Sequence, residues 1–136
     1  MKCTLALCLC AFLSLAAGRA DRYARLLPAI KQVESSGGKD KRDGDGGDSI
    51  GSYQIQYDYW FDAIEHKPSI GGTYQDCRND AYAEQIIRAY MDRYGGKNPT
   101  DEKLARIHNG GPRGHEKVST RPYWRKVKAA MNGGGK

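Results

Sequence analysis

Cysteine is scarce in the part of the chain where it would matter for stability. The protein has 136 residues and four cysteines, but Cys3, Cys8 and Cys10 lie within the first ten residues, which leaves only Cys77 beyond them. Small secreted domains usually depend on disulfide bonds, and one thiol cannot form a disulfide within its own chain. The stability of the domain must therefore come from packing. We expect Cys77 to be a half-buried free thiol, with pairing between two chains as the alternative.

The sequence also lacks the patterns of several other classes of protein. A structural zinc site needs about four ligands, and one cysteine with three scattered histidines does not supply them. We therefore expect no metal and no cofactor. Beyond the first 20 residues, no segment approaches the ~20 consecutive apolar residues of a membrane-spanning helix, so we expect no membrane span. No nucleic-acid-binding motif accompanies the basic residues, so we expect no nucleic-acid partner.

The first 20 residues have the pattern of a secretory signal peptide. Lys2 precedes an apolar run over residues 5–17, and Gly18-Arg19-Ala20 supplies a small-residue cleavage site. We predict cleavage after Ala20, with cleavage after Gly18 or Ala17 as the alternatives, and a secreted, extracellular protein. Removing 20 of the 136 residues leaves 116, which is enough for one domain with a modest core, and the formal net charge falls from +6 to about +4.

Helical spacing of apolar residues dominates the remaining sequence. It predicts a helix over residues 22–34, whose main part begins near Pro28, and a helix after Asp58 within residues 52–64. Further helices are predicted over residues 80–94 with Asn79 as the cap, 101–108 with Thr100 as the cap, and 121–131.

Glycine and aspartate interrupt this helical pattern once. Residues 35–51 contain six glycines and four aspartates with almost nothing to bury, which predicts a loop or a small irregular hairpin. The fold class is therefore α+β and mainly helical, with a small β or loop excursion near residues 38–56. We predict one folded domain over residues 21–131 and a disordered glycine-rich tail over residues 132–136.

Glu34 and the aspartates that follow it are candidates for acid–base chemistry. Glu34 ends an apolar helical stripe, where the negative end of the helix dipole favours a protonated carboxyl and thus a general acid. Asp43, Asp45 and Asp48 lie in a loop that can fold back over it. Two carboxylates across a cleft suit glycosidic bond cleavage. A solvated glutamate, an acidic turn and a looser calcium site are the alternatives, whereas the spacing does not fit an EF-hand calcium loop.

Polar and aromatic residues elsewhere could complete a cleft. His108 and Asn109 precede the turn Gly110-Gly111-Pro112. A helix cap explains the two glycines and the proline, but it does not explain the two polar residues before them. Aromatic residues would pack the core, and one or two would suit stacking on sugars; they are Tyr53, Tyr57, Tyr59, Trp60, Tyr123 and Trp124. The densest basic patch, which favours acidic polymers such as bacterial cell walls, consists of Arg121, Arg125, Lys126 and Lys128.

Several blocks of the sequence, in order, resemble the invertebrate-type (destabilase) lysozyme family. The matching blocks are Val33-Glu34-Ser35, residues 51–56 with Tyr59-Trp60, residues 89–94, residues 105–114, and Ser119-Thr120 with Tyr123-Trp124. The resemblance covers residues 28–127, and its most specific block is HNGGPRG. Family members are cysteine-rich, whereas this chain keeps only Cys77 beyond the predicted leader.

The resemblance implies a lysozyme-like fold and hydrolysis of the β-1,4 bond of peptidoglycan by a glycosidase that needs no cofactor. The glutamate of the family corresponds to Glu34, the proton donor. Counting back from Gly51 places the family's aspartate at Gly44, and of its neighbours we choose Asp45 as the second catalytic residue because flanking glycines let substrate approach. Asp43 and Asp48 remain alternatives. The predicted substrate-binding residues are Tyr53, Gln54, His108 and Asn109.

The function predicted from the sequence is thus that of a secreted lysozyme acting in antibacterial defence or in the digestion of bacteria. Its partners would be peptidoglycan and chitin oligosaccharides, and we expect a monomer or a weak dimer. Two alternatives remain open. A lytic transglycosylase needs the glutamate but not the aspartate, and a non-catalytic cationic protein would only bind the cell wall.

Overall fold

The computed structural model describes residues 14–40 and 42–133. The predicted signal peptide falls mostly outside these residues, as do the last three residues of the predicted tail. Five α-helices lie in the described part of the chain: α1 (Ser14–Ser35), α2 (Tyr57–His66), α3 (Asp80–Gly95), α4 (Asp101–Gly110) and α5 (Arg121–Gly133). Two short strands, β1 (Ser49–Ile50) and β2 (Ile55–Gln56), form one antiparallel pair. The prediction of a mainly helical fold with a small β excursion is confirmed.

Helix α1 runs through Pro28, so the prediction that the main helix begins near this residue is wrong. Proline lacks the N–H that would bond to the carbonyl of Ala24. Both residues are exposed, so water can solvate that carbonyl. On the opposite face Tyr23, Leu26 and Leu27 are buried, and their burial holds the turns before Pro28 in the helix.

The predicted caps of α3 and α4 are confirmed. The side chain of Asn79 accepts a hydrogen bond from the backbone N–H of Tyr82, and that of Thr100 accepts one from the N–H of Lys103. Each satisfies an N–H that the first helical turn leaves unpaired. Helix α5 continues to Gly133 and so includes the first two residues of the predicted tail.

The hairpin is attached to the end of α1. In its register Ser49 pairs with Gln56 and Ile50 with Ile55, and an isolated bridge joins Gly44 to Ser49. The buried hydroxyl of Ser35 donates a 2.6 Å hydrogen bond to the carbonyl of Ser52. This bond holds the hairpin against the helix end that carries Glu34.

One hydrophobic core joins all five helices and the hairpin. Cys77 belongs to it and is fully buried rather than half-buried, so its thiol is sealed from a partner chain in the folded state. In the described part of the chain no helix combines the length and apolarity needed to span a bilayer. Helix α1 packs against α5, and α4 also packs against α5. These contacts bring the C-terminal ends of α1 and α4 near the start of α5.

Candidate active site

A cleft of about 220 Å³ collects most of the predicted site residues. Its lining combines the end of α1, the hairpin with the loop before it, one residue of α2 and the end of α4. The lining residues are Glu34, Asp45, Ser49, Gln54, Gln56, Tyr59, His108 and Asn109. Five of the six predicted site residues therefore lie together, although they come from distant parts of the sequence.

Glu34 sits at the inner side of this cleft, with a side chain that is 20% exposed. The hydroxyl of Tyr123, in the first turn of α5, donates a 2.7 Å hydrogen bond to Oε1 of Glu34. Burial, and then the neighbouring Glu34, raise the pKa of Tyr123 well above its ordinary value. Tyr123 is therefore neutral over the ordinary pH range, and its hydroxyl donates to Oε1 of Glu34.

His108 is the second neighbour of the same carboxyl oxygen. Its Nε2 lies 3.6 Å from Oε1 of Glu34, and its side chain is 4% exposed. The Nδ1 atom lies 3.0 Å from the hydroxyl of Tyr59. Burial raises the pKa of Tyr59 well above its ordinary value, so this hydroxyl keeps its proton. The contact between the hydroxyl of Tyr59 and Nδ1 thus orients the imidazole of His108 with its Nε2 facing Glu34.

Asp45 faces the cleft from the loop before β1. Its backbone is left-handed, with φ of 52°, and so is that of the following Gly46 and Gly47, with φ of 71° and 106°. Aspartate tolerates this conformation better than most residues. Its Oδ2 accepts a 2.8 Å hydrogen bond from the hydroxyl of Ser49 and a 3.4 Å bond from the amide of Gln56.

The two other aspartates are placed differently. Both carboxylate oxygens of Asp43 accept hydrogen bonds from Arg78, at 2.7 and 2.8 Å, and this bidentate pair lowers the pKa of Asp43. Asp43 lines a neighbouring cavity of about 230 Å³ that shares Glu34 and Gln54 with the cleft. Asp48 is exposed and lies in neither lining.

Gln54 and Tyr53, neighbours in the sequence, have opposite environments. The side-chain amide of Gln54 lines the cleft and donates to the carbonyls of Arg42 and Gly51, at 3.1 and 3.0 Å. Tyr53 is 1% exposed, and its hydroxyl donates a 2.8 Å hydrogen bond to Glu84 of α3. The prediction that Tyr53 binds substrate is therefore wrong, because its ring packs in the core.

Four residues around the carboxylates did not stand out as site residues in the sequence: Ser49, Gln56, Tyr59 and Tyr123. Gln56 had a usable signal, since it lies in the block of residues 51–56 that carries the family resemblance and Gln54 of the same block was already a candidate. Tyr59 and Tyr123 lie in blocks that carry the family resemblance, but an aromatic residue beside an apolar stripe is most simply interpreted as core, and nothing local indicates that its hydroxyl meets a carboxyl or an imidazole. Their hydroxyls reach the site only through the packing of α2 and α5.

A larger cavity elsewhere lacks comparable chemistry. It measures about 530 Å³ and is lined by Lys31, Ser52 and Arg78, among others, but by neither Glu34 nor Asp45. Its two cations are already paired with the carboxylates of Asp80 and Asp43. The smaller cleft instead combines a shielded carboxyl held by a tyrosine hydroxyl with a second, exposed carboxylate held by Ser49 and Gln56. That combination can donate a proton on one side of a bound molecule and supply negative charge on the other.

Comparison with known proteins relates this chain to one family. The sequence model of the destabilase family matches residues 25–130. Lysozyme 1 of Crassostrea virginica is 44% identical over 86 residues, 60% of this chain and 45% of that protein. The lysozyme of Magallana gigas is 47% identical over 83 residues, 58% of each. The crystal structure of Tapes japonica lysozyme has a TM-score of 0.65 at 31% identity, over 76% of this chain and 86% of that one. The chain spans about half the length of the curated relatives it matches.

Proposed function

Because this chain belongs to the destabilase family, we propose that it is a secreted lysozyme. It hydrolyses the β-1,4 bond between N-acetylmuramic acid and N-acetylglucosamine in bacterial peptidoglycan, for defence or for digestion of bacteria. The observation that carries the proposal is that Glu34 and Asp45 line one cleft. Similar proteins named lysozyme support it.

In this proposal Glu34 is the proton donor. Tyr123 donates to Oε1, and the Nε2 of His108 faces the same oxygen. The protonated carboxyl therefore carries its proton on Oε2, since Oε1 is engaged as an acceptor. Glu34 gives this proton to the glycosidic oxygen as the bond to the leaving sugar breaks, and afterwards acts as a base toward water.

Asp45 is the ionised partner in the same reaction. Hydrogen bonds from Ser49 and Gln56 hold its carboxylate at the wall of the cleft. Its carboxylate attacks or stabilises the sugar cation that develops as the glycosidic bond breaks. This is the general role of the second carboxylate in glycosidases. Gln54, His108 and Asn109 supply polar groups along the cleft wall to hold the sugars.

Binding to the cell wall is supported by charge on another face. Arg121, Arg125 and Lys128 recur at helical spacing along α5, and all three are exposed. No ion pair to any of them occurs in the described part of the chain. Free cations of this kind attract anionic polymers of the bacterial wall.

Mass spectrometry of purified peptidoglycan after incubation with the protein tests the proposal. Reducing-end muropeptides, absent from a folded Glu34→Gln control, are the expected products. Anhydro-ended products would instead identify a lytic transglycosylase, with the aspartates structural. A folded protein that retains glycan without any product would be a cell-wall binder.

A further inference from the structure

Two aromatic rings stand exposed on the outer face of α2. Tyr57 is 53% exposed and Phe61 is 49% exposed, and they are one helical turn apart. Their ring centroids lie 6.4 Å apart at an interplanar angle of 24°, so the rings stack side by side. Single exposed apolar residues are ordinary, but a stacked pair forms a continuous apolar surface that suggests a ligand. We call this pair the α2 platform.

Two further rings hold the platform in place. The centroid of Tyr57 lies 5.4 Å from that of Tyr74, edge to face, and 5.5 Å from that of Trp60. Trp60 and Tyr74 are partly buried and pack against the core, whereas Tyr57 and Phe61 are exposed. The indole N–H of Trp60 also donates a 3.0 Å hydrogen bond to Tyr82. The outer rings are thus preorganised by neighbours and contribute little to the core themselves.

The platform adjoins the candidate active site. Tyr57 directly follows Gln56, which lines the cleft and contacts Asp45. The hydroxyl of Tyr74 donates to the carbonyl of Ile55 in β2, at 2.8 Å, and to that of Asp48, at 3.1 Å. One tyrosine therefore ties the platform to β2 and to the loop that carries Asp45.

The charge around the platform favours a neutral ligand. Asp58 is exposed beside Tyr57, and Glu65, one turn after Phe61, is exposed even though it pairs with Arg93. Helix α2 has no lysine or arginine. An anionic lipid surface would be repelled here, whereas a sugar can place its C–H face on an aromatic ring and donate a hydroxyl or amide proton to a carboxylate.

We propose that Tyr57 and Phe61 bind β-1,4-linked N-acetylhexosamine units of a glycan strand beyond the cleft, with Asp58 as a hydrogen-bond acceptor. The platform would hold a long strand while the cleft acts on one bond. The identity of the sugar rests on the proposed function. The binding itself does not require turnover, so it can be measured separately.

Calorimetric titration with chitotriose and chitohexaose tests this site. All variants carry Glu34→Gln, so that no oligosaccharide is cleaved. The parent should bind the hexamer more tightly than the trimer, because only the hexamer is long enough to extend from the cleft. Tyr57→Ala/Phe61→Ala should weaken hexamer binding by about tenfold, since two ring contacts are lost, and should affect trimer binding much less.

Two control variants separate ring contact from other effects. Tyr57→Phe/Phe61→Tyr keeps both rings and should retain hexamer binding. Val118→Ala removes another exposed apolar side chain, 69% exposed and outside α2, and should bind as the parent does. A melting temperature equal to that of the parent shows that the alanine variant is folded.

Three results would overturn the proposal that the α2 platform binds the glycan. The first is hexamer affinity that the double alanine substitution leaves unchanged, and the second is an equal loss for trimer and hexamer. The third is a dimer, detected by sedimentation equilibrium, that dissociates in the alanine variant while glycan affinity stays the same; the face would then be a contact between copies of this chain. Absence of peptidoglycan cleavage by the native protein would reject the proposed function but leave these binding results interpretable.

Discussion

The hydroxyl of Tyr123 donates a 2.7 Å hydrogen bond to Oε1 of Glu34, a residue 89 positions earlier in the chain. The bond joins the first turn of α5 to the last turn of α1, two helices that pack along each other. Because Tyr123 keeps its proton over the ordinary pH range, it holds the carboxyl in one orientation. The orientation of the proposed proton donor thus depends on a helix from the other end of the domain.

Replacing Tyr123 by phenylalanine removes this hydrogen bond and keeps the ring. We expect kcat on peptidoglycan to fall by about tenfold, because the carboxyl loses its fixed orientation. A donor to a carboxylate stabilises the ionised form, so its loss should also move the alkaline limb of the pH–rate profile to higher pH. The measurement is kcat across a pH series.

Tyr94→Phe is the matched control for that experiment. The hydroxyl of Tyr94 donates a 2.7 Å bond to the carboxylate of Asp62, away from the cleft. Its removal should leave both kcat and the pH profile as in the native protein. Equal effects of the two substitutions would mean that Tyr123 acts through general stability rather than through Glu34.

The three aspartates of the loop should differ sharply in their effect on activity. Asp45→Asn keeps the shape of the side chain and removes its charge, so we expect kcat to fall by about a hundredfold or more. Asp43→Asn should have a small effect, because its charge is already matched by Arg78. Asp48→Asn should also have a small effect, because its side chain lies outside the cleft. The measurement is kcat for the three variants under the same conditions. A severe loss in Asp43→Asn or Asp48→Asn would assign the role of the second carboxylate to that residue.

The thiol of Cys77 should be unreactive in the folded protein. Burial raises its pKa from the ordinary 9.0 to about 12. The unfolded thiol ionises near pH 9 while the folded one does not, so the stability due to this group is complete below pH 9 and is lost as the pH rises toward about 12. Ellman's reagent at pH 8 should react only after denaturation, and Cys77→Ala should weaken the alkaline decline of the melting temperature. Rapid reaction of the native protein would contradict this burial.

Gly114 should tolerate no side chain. A Cβ at this position would collide with the backbone carbonyl of Arg106 in α4, which cannot move aside without shifting the helix. We expect Gly114→Ala to lower the free energy of unfolding by about 2–4 kcal/mol. Gly133→Ala is the control, since no atom would lie within 4 Å of a Cβ added at this position. Urea denaturation measures both, and equal stabilities would show that the backbone yields without cost.

The helices were predictable because their determinants are local. Apolar side chains at helical spacing and the caps Asn79 and Thr100 act within a few residues, and the structure agrees with them. Pro28 was misread because proline usually starts or breaks a helix, and the energy that overrides this preference comes from burial against other elements. Tyr53 was misassigned for the same reason, since its role depends on Glu84 of α3.

The residues of the candidate site also divide into those that the sequence indicates and those whose contacts depend on packing. Local order pointed to Glu34, to the three aspartates of the loop and to His108 with Asn109, because acids and a histidine beside helix ends and glycine turns carry recognisable chemistry. The choice of Asp45 and the inclusion of Gln54 came from the resemblance to the lysozyme family. Spacing does not report which side chains meet across the molecule. The hydroxyls of Tyr123 and Tyr59 reach Glu34 and His108 through the packing of α5 on α1 and of α2 near α4, so these two contacts became visible only in three dimensions. The same is true of the environments of the three aspartates, because only the tertiary structure pairs Asp43 with Arg78 and places Asp45 in the lining of the cleft.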